Sequence, residues 1–220
     1  MEGVFVLRHL LKGDVLAEFS EKVRGTLFAD GHATASGMAA SVKNNQQVSI
    51  EDVEGLLPLF ADHVSKNPVL KGLAMPRSFV SMIVSRYGVG MGYGTHSDAA
   101  ILNSGSRSDI SFTLFISAKD EYKGGELVME TSFGEQSIRL DPGSMILYPT
   151  GILHRVNPVT EGERLVIVGW INSRIRDSRK RQMIIDLVKV RGQYESKIGN
   201  DQGAQTLLAV TENLRRLWDE

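Results

Sequence analysis

The stretch Thr95-His96-Ser97-Asp98 sets an imidazole and a carboxylate two residues apart, in a chain with five histidines. In an extended strand residues i and i+2 face the same way, so His96 and Asp98 would offer one nitrogen and one oxygen to a shared ligand. Two protein ligands hold a metal poorly, and a third is expected late in the β region. His154, in YPTGILHRVNPVT, follows a turn punctuated by Pro and Gly and sits in a short apolar strand. Two His and one carboxylate on one face of an octahedron suit non-haem Fe(II) and leave three coordination positions open. Arg164 lies ten residues after His154, across the turn NPVTEGE. Read as a hairpin, that spacing places Arg164 beside His154 on the neighbouring strand. Its planar guanidinium matches a carboxylate, and an Arg entering an apolar strand is costly unless an anion meets it.

The elements that must position these residues come in three parts. From about residue 13 to 75 the pattern is helical. Leu16, Phe19 and Val23 follow Asp14, a candidate N-cap. Ser49 and Asp52 resemble a capping box ahead of an apolar stripe of Val53, Leu56, Leu57, Phe60 and Val64. Pro58 inside that stripe must kink the helix or begin a new one. From about 78 to 172 short strands take over: FVSMIVSRY, DISFTLFIS, GELVME, EQSIRL, SMILYP and RLVIVGWIN. Turn signals at Gly124-Gly125, Phe133-Gly134, Asp141-Pro142-Gly143 and Glu161-Gly162 separate them. Strands this short and close predict an antiparallel sandwich or jelly roll. In the last strand Arg164, Val166, Val168 and Trp170 share parity and are expected to point into the barrel. Leu165, Ile167 and Ile171 are expected to face covering helices. Helix returns after 173, starting at Asp177 and again at AQTLLAVTENLRRLW. The expectation is a mainly β chain with flanking helices: an N-terminal helical, substrate-side segment (1–77), a jelly-roll core (78–173) and a C-terminal helical extension (174–220).

Composition narrows the function classes. A chain of 220 residues can bury about 70% of its unfolded surface and needs no metal or disulfide to fold. The net charge of −1 offers no electrostatic reason for a nucleic-acid or membrane partner. The absence of cysteine excludes thiol catalysis and Cys-ligated zinc and fits a reducing cytoplasm. The N-terminus carries Glu2, Arg8, Lys12 and Asp14, and its apolar runs are too short for a signal peptide. The basic run RIRDSRKR (174–181) reads as a solvated helix start. His9, His32 and His63 sit in contexts without partners.

His-x-Asp, a later His and a basic residue ten positions on make the chain similar to 2-oxoglutarate/Fe(II) dioxygenases of the prolyl-4-hydroxylase type, and above all to the bacterial PKHD-type hydroxylases. The resemblance runs over VKNNQQV (42–48), RYGVGMGYGTHSD (86–98), ISFTLFIS (110–117), YKGGELV (122–128), GSMILYPTGILHRVNPVTEGERLVIVGWI (143–171) and RIRDSRKR (174–181). It implies a double-stranded β-helix, with Fe(2+) held by His96, Asp98 and His154. It also implies 2-oxoglutarate bound through its distal carboxylate by Arg164, Tyr87 near that co-substrate, and L-ascorbate as a reductant. The activity implied is hydroxylation of a C–H bond coupled to decarboxylation of 2-oxoglutarate to succinate and CO2, on a prolyl, lysyl or small amino-acid-like group. Asp98 argues against halogenation, where related enzymes lack this carboxylate. Trp170 stands where demethylases of nucleic acid carry a second Arg. Four consecutive amides, Asn44, Asn45, Gln46 and Gln47, offer donors and acceptors to a polar substrate. Two other readings stand beside this one: a non-catalytic jelly-roll module that senses iron and 2-oxoglutarate in iron homeostasis, and a cupin metalloenzyme, which would give Arg164 no role. The C-terminal helix, with Leu207, Val210, Leu214 and Leu217 on one face, is expected either to cap its own barrel or to pair two subunits.

Overall fold

The computed structural model of the chain describes residues 3–34 and 41–220. Its strands are β1 (Phe5–Leu7), β2 (Ala29–Asp30), β3 (Lys43–Asn44), β4 (Gln46–Ser49), β5 (Pro76–Tyr87), β6 (Gly92–His96) and β7 (Ile110–Phe115). They continue as β8 (Tyr122–Gly124), β9 (Leu127–Thr131), β10 (Gly134–Ile138), β11 (Met145–Pro149), β12 (His154–Val156), β13 (Val159–Gly162) and β14 (Arg164–Ser173). Among the described residues one sheet has the order β1-β11-β7-β14-β5-β4-β2 and the other β10-β9-β12-β6-β3, with β13-β8 as a small ribbon. All these pairings are antiparallel. The two sheets face each other as a jelly roll.

β14 shows how the pattern becomes two cores. Val166 joins Tyr87, Phe115, Tyr148 and Val156 between the sheets. Leu165, Ile167 and Ile171 join Phe19, Val23, Phe60 and Val64 between the large sheet and its helices. Gly169 sits on that outer side because any side chain there would meet the Phe112 ring and the Ser81 carbonyl. Over it Phe60, Phe79 and Phe112 pack with centroids 5.5–6.1 Å apart, an arrangement that adds to area burial. Helix Gly13–Arg24 and helix Pro68–Ala74 cover the same face.

Several local expectations change. Asp14 lies in the first turn of helix Gly13–Arg24, and Lys12 holds the N-cap position without a side-chain bond. The carboxylate still sits at the positive end of the helix dipole. Ser49 caps only the short 3-10 turn Ile50–Asp52, accepting from Glu51 N. The following helix, Leu56–Phe60, begins after Gly55 at φ +71°. Pro58 falls in its first turn, where a missing N–H costs nothing. The helical reading of 13–75 missed β2, β3 and β4, which are two to four residues long and mostly polar. They are strands because they pair with existing edges: β4 with β5, and β3 with β6. Asp177 does cap helix Ser178–Ile198, accepting from Arg179 N and Lys180 N. That helix and Gln202–Trp218 pack on each other, meeting the body of the chain at Met75, Ile175, Ile184 and Trp218. No helix among the described residues is long and apolar enough to cross a membrane.

Candidate active site

His96 ends β6 and His154 begins β12, and the two are direct cross-strand partners. Such pairing holds side chains about 5 Å apart on one face, and the imidazole centroids are 4.4 Å apart. Asp98 does not reach the site by strand parity, since β6 stops at His96 and Asp98 lies in the loop beyond. Ser111 on β7 places it there, donating its hydroxyl to Asp98 Oδ2 at 2.6 Å, with Thr150 Oγ1 3.3 Å from the same hydroxyl. Asp98 Oδ1 then lies 3.6 Å from His96 Nε2 and 3.8 Å from His154 Nε2. One ligand atom from each of the three falls within 4.8 Å of the others. His96 Nδ1 contacts the Gly94 carbonyl at 2.8 Å, and His154 Nδ1 contacts that of Ile152 at 2.9 Å. A carbonyl only accepts, so both protons sit on Nδ1 and both Nε2 lone pairs point into the cluster. Burial favours the neutral His154 ring and lowers its affinity for a proton, against the pull of Asp98. Burial by itself would raise the Asp98 carboxyl, but His96, His154 and Ser111 together bring it down to about 2. The donor set is therefore two imidazole Nε2 atoms with an ionised carboxylate, a mixed nitrogen and oxygen set that suits a first-row transition-metal dication.

Arg164 does not sit beside His154. The intervening segment contains β13, which pairs with β8, and the chain crosses to the large sheet before β14 begins. Arg164 there pairs with Tyr87 on β5 and faces the metal cluster's sheet from across the interior. Its guanidinium carbon lies 5.0 Å from the Tyr87 ring centroid and 5.6 Å from that of Phe115. The residue is 1% exposed, and Nε and Nη1 find no hydrogen-bond acceptor among the described residues. A buried cation with two idle donors is a large cost unless an anion completes it.

Residues 82–172 match the family described as the 2OG-Fe(II) oxygenase superfamily. A PKHD-type hydroxylase of Hyphomonas neptunium is 37% identical over 99% of this chain and 100% of its own length. One from Picosynechococcus is 38% identical over 98% and 99%. The chain belongs to the PKHD-type hydroxylases. Its fold is similar to that of a solved Pseudomonas putida prolyl-4-hydroxylase, with a TM-score of 0.62 and 19% identity over 79% of this chain and 94% of that one. A Trichoplax adhaerens prolyl hydroxylase, solved with a peptide fragment of hypoxia inducible factor, gives a TM-score of 0.59 at 16% identity over 83% and 87%. The chain is thus an oxidoreductase of a family that uses Fe(2+), 2-oxoglutarate and O2.

Around the hydroxylase's central trio, the four consecutive amides divide. Asn44 is exposed and donates to the Gly90 carbonyl at 3.3 Å. Gln46 turns outward and accepts from Arg86 Nε at 2.7 Å. Asn45 and Gln47 turn inward and are 3% and 6% exposed. Gln47 bridges two groups, accepting from Lys43 Nζ at 2.9 Å and donating to Ser85 Oγ at 3.0 Å. Five residues of this wall escaped the sequence reading. Ser111 and Thr113 were visible as polar residues at inward parity in an apolar strand. Tyr93 stacks on His96 at 3.7 Å, and Tyr148 puts its hydroxyl 3.4 Å from His154 Nε2. Burial pushes both phenols above their ordinary range. Lys43, buried near Tyr93, carried no signal because residues 43–47 show no alternation of polar and apolar side chains.

Proposed function

We propose that His96, Asp98 and His154 hold Fe(2+) and that Arg164 binds the distal carboxylate of 2-oxoglutarate, with Tyr87 beside it. The observation that carries this reading is the pair of idle donors on buried Arg164, facing a convergent trio of metal-competent atoms. The trio offers three ligands and leaves the remaining positions to a bidentate co-substrate and O2. When bound, the iron supplies the oxygen chemistry that splits 2-oxoglutarate into succinate and CO2 and hydroxylates a substrate C–H bond.

The chain's own residues do the positioning. The carbonyls of Gly94 and Ile152 fix both imidazoles, and Ser111 fixes the carboxylate. Arg164 sets the length of the co-substrate that fits. Val166, Phe115 and Tyr148, buried between the sheets, exclude water from the same volume. We assign an amino-acid-like substrate, a prolyl or lysyl group or a small relative of one. The names of the Pseudomonas putida and Trichoplax adhaerens neighbours support that class. Asn44 and Gln46, held outward by Gly90 and Arg86, contribute no inward group to it. The lack of cysteine fits a cytoplasmic enzyme.

The test is anaerobic loading with Fe(II) and 2-oxoglutarate, with ascorbate present, followed by exposure to O2. Succinate should form slowly without added substrate, and His154→Ala should abolish it. No succinate above a metal-free control overturns the reading.

A further inference from the structure

Asn45 is an unusual residue for its place. It lies between β3 and β4, at the point where the chain passes from the small sheet to the large one. It is 3% exposed, and neither Nδ2 nor Oδ1 has a hydrogen-bond partner of normal geometry among the described residues. Leaving an amide buried with both ends idle is costly, because the group gives up its bonds to water and gains none in return. The chain nevertheless builds a seat for it. Gly31 donates its backbone N–H to the Asn45 carbonyl at 2.9 Å, and any side chain at Gly31 would collide with Asn45 Oδ1. The other side of the seat is Tyr87, whose hydroxyl is influenced first by burial, then by Arg164 and by the Asn45 amide. Tyr87 is in turn the cross-strand partner of Arg164. Unmet polar capacity thus collects in one buried corner: Arg164 Nε and Nη1, and Asn45 Nδ2 and Oδ1.

We infer that Asn45 is a co-substrate-binding residue, whose amide donates to the distal carboxylate that Arg164 holds. A carboxylate has about four acceptor sites and a guanidinium fork fills two of them. An amide N–H from a second element fills another, and the Tyr87 hydroxyl completes the corner. This rests on the proposed role of Arg164. It brings the N-terminal segment, which lies outside the family match at 82–172, into the co-substrate site.

The test is calorimetric titration of Mn(II)-loaded protein with 2-oxoglutarate and with 2-oxovalerate, which keeps the chelating head but ends in a methyl group. Asn45→Ala should weaken 2-oxoglutarate on the order of tenfold, the loss of one hydrogen bond to a charged group. It should leave 2-oxovalerate and Mn(II) binding unchanged. Asn45→Asp should weaken 2-oxoglutarate further, since a carboxylate then faces a carboxylate. Gly31→Ala should act in the same direction as Asn45→Ala without altering any polar group. Thermal melting of each variant checks folding, and Asn45→Ser replaces any that fails. Unchanged 2-oxoglutarate affinity in Asn45→Ala, with Arg164→Ala weakened, overturns this inference alone. Equal loss of both ligands overturns it too, by showing a merely structural role. Unchanged affinity in Arg164→Ala overturns the co-substrate assignment on which it rests.

Discussion

Arg164 and Lys43 are two buried cations with different expectations. Arg164→Ala should raise the KM for 2-oxoglutarate roughly 30- to 150-fold, the loss of a charge-assisted bidentate contact. Iron titration should barely change, and Arg164→Lys should recover part of the loss because charge survives without the fork. Equal KM values for wild type and Arg164→Ala would show the carboxylate is held elsewhere. Lys43 is 4% exposed, and burial pushes its ammonium down to about 8 from 10.5, with Asp98 and Asp30 pulling the other way. The unfolded chain keeps the proton up to the higher value, so the folded state loses it first. This group's contribution to stability therefore rises with pH between about 8 and 10.5, and its burial cost is felt in full below 8. Lys43→Met should remove that dependence, so that its stability relative to wild type is on the order of 1–3 kcal/mol higher at pH 7 than at about pH 10.5. Urea unfolding at both pH values measures it, and the same gain at both would assign it to packing instead.

At the scale of elements, β7 and β14 each serve two faces. Inward, β7 offers the Ser111 hydroxyl to Asp98, a carboxylate that sits in a loop and has no strand to hold it. Ser111→Ala should lower iron affinity about 10- to 100-fold by freeing that ligand, while secondary structure stays intact. Metal titration followed by circular dichroism tests this, and unchanged affinity would remove Ser111 from the site. Outward, β14 turns Ile167, which is fully buried, to the helices. Ile167→Ala should cost about 2–5 kcal/mol in urea unfolding. Because its inward neighbours Val166 and Val168 are untouched, the KM for 2-oxoglutarate in the folded fraction should hold steady. A change in KM matching the lost stability would show that the two faces are coupled.

For the whole molecule, the metal is a ligand and not a staple. One core lies between the sheets and another under the helices, and each is closed by apolar contacts without the His-Asp-His trio. Chelation should therefore leave the far-ultraviolet circular dichroism unchanged. It should lower Tm only by mass action: about 2.7 kcal/mol is lost when metal at a hundred times its Kd is removed, or roughly 5–10 °C for a chain this size. Restoring Fe(II) under nitrogen should restore the Tm. Loss of helical or strand signal on chelation would contradict a fold that stands alone.

His96, Asp98, His154 and Arg164 were legible as candidates because chemistry restricts residue type. Few side chains bind iron or a carboxylate, and their order along the chain survives any fold. The long strands were legible too, because β-branched runs with period-2 polarity can bury one face in only one way. β14 shows it, with Arg164 and Val166 inward and Leu165 and Ile167 outward. Partnership across the fold was decided by tertiary structure. Asp98 is aimed by a hydroxyl 13 residues away on another strand. Arg164 meets the site from the opposite sheet because β13 pairs with β8 and carries the chain across. The segment Lys43–Ser49 is polar and lacks alternation, so nothing local marks it as strand. It becomes one by hydrogen-bonding to β5 and β6, and that pairing is what turns Asn45 inward. Side-chain chemistry is a property of the residue, whereas the partner each residue meets depends on which edges the chain leaves open when it closes.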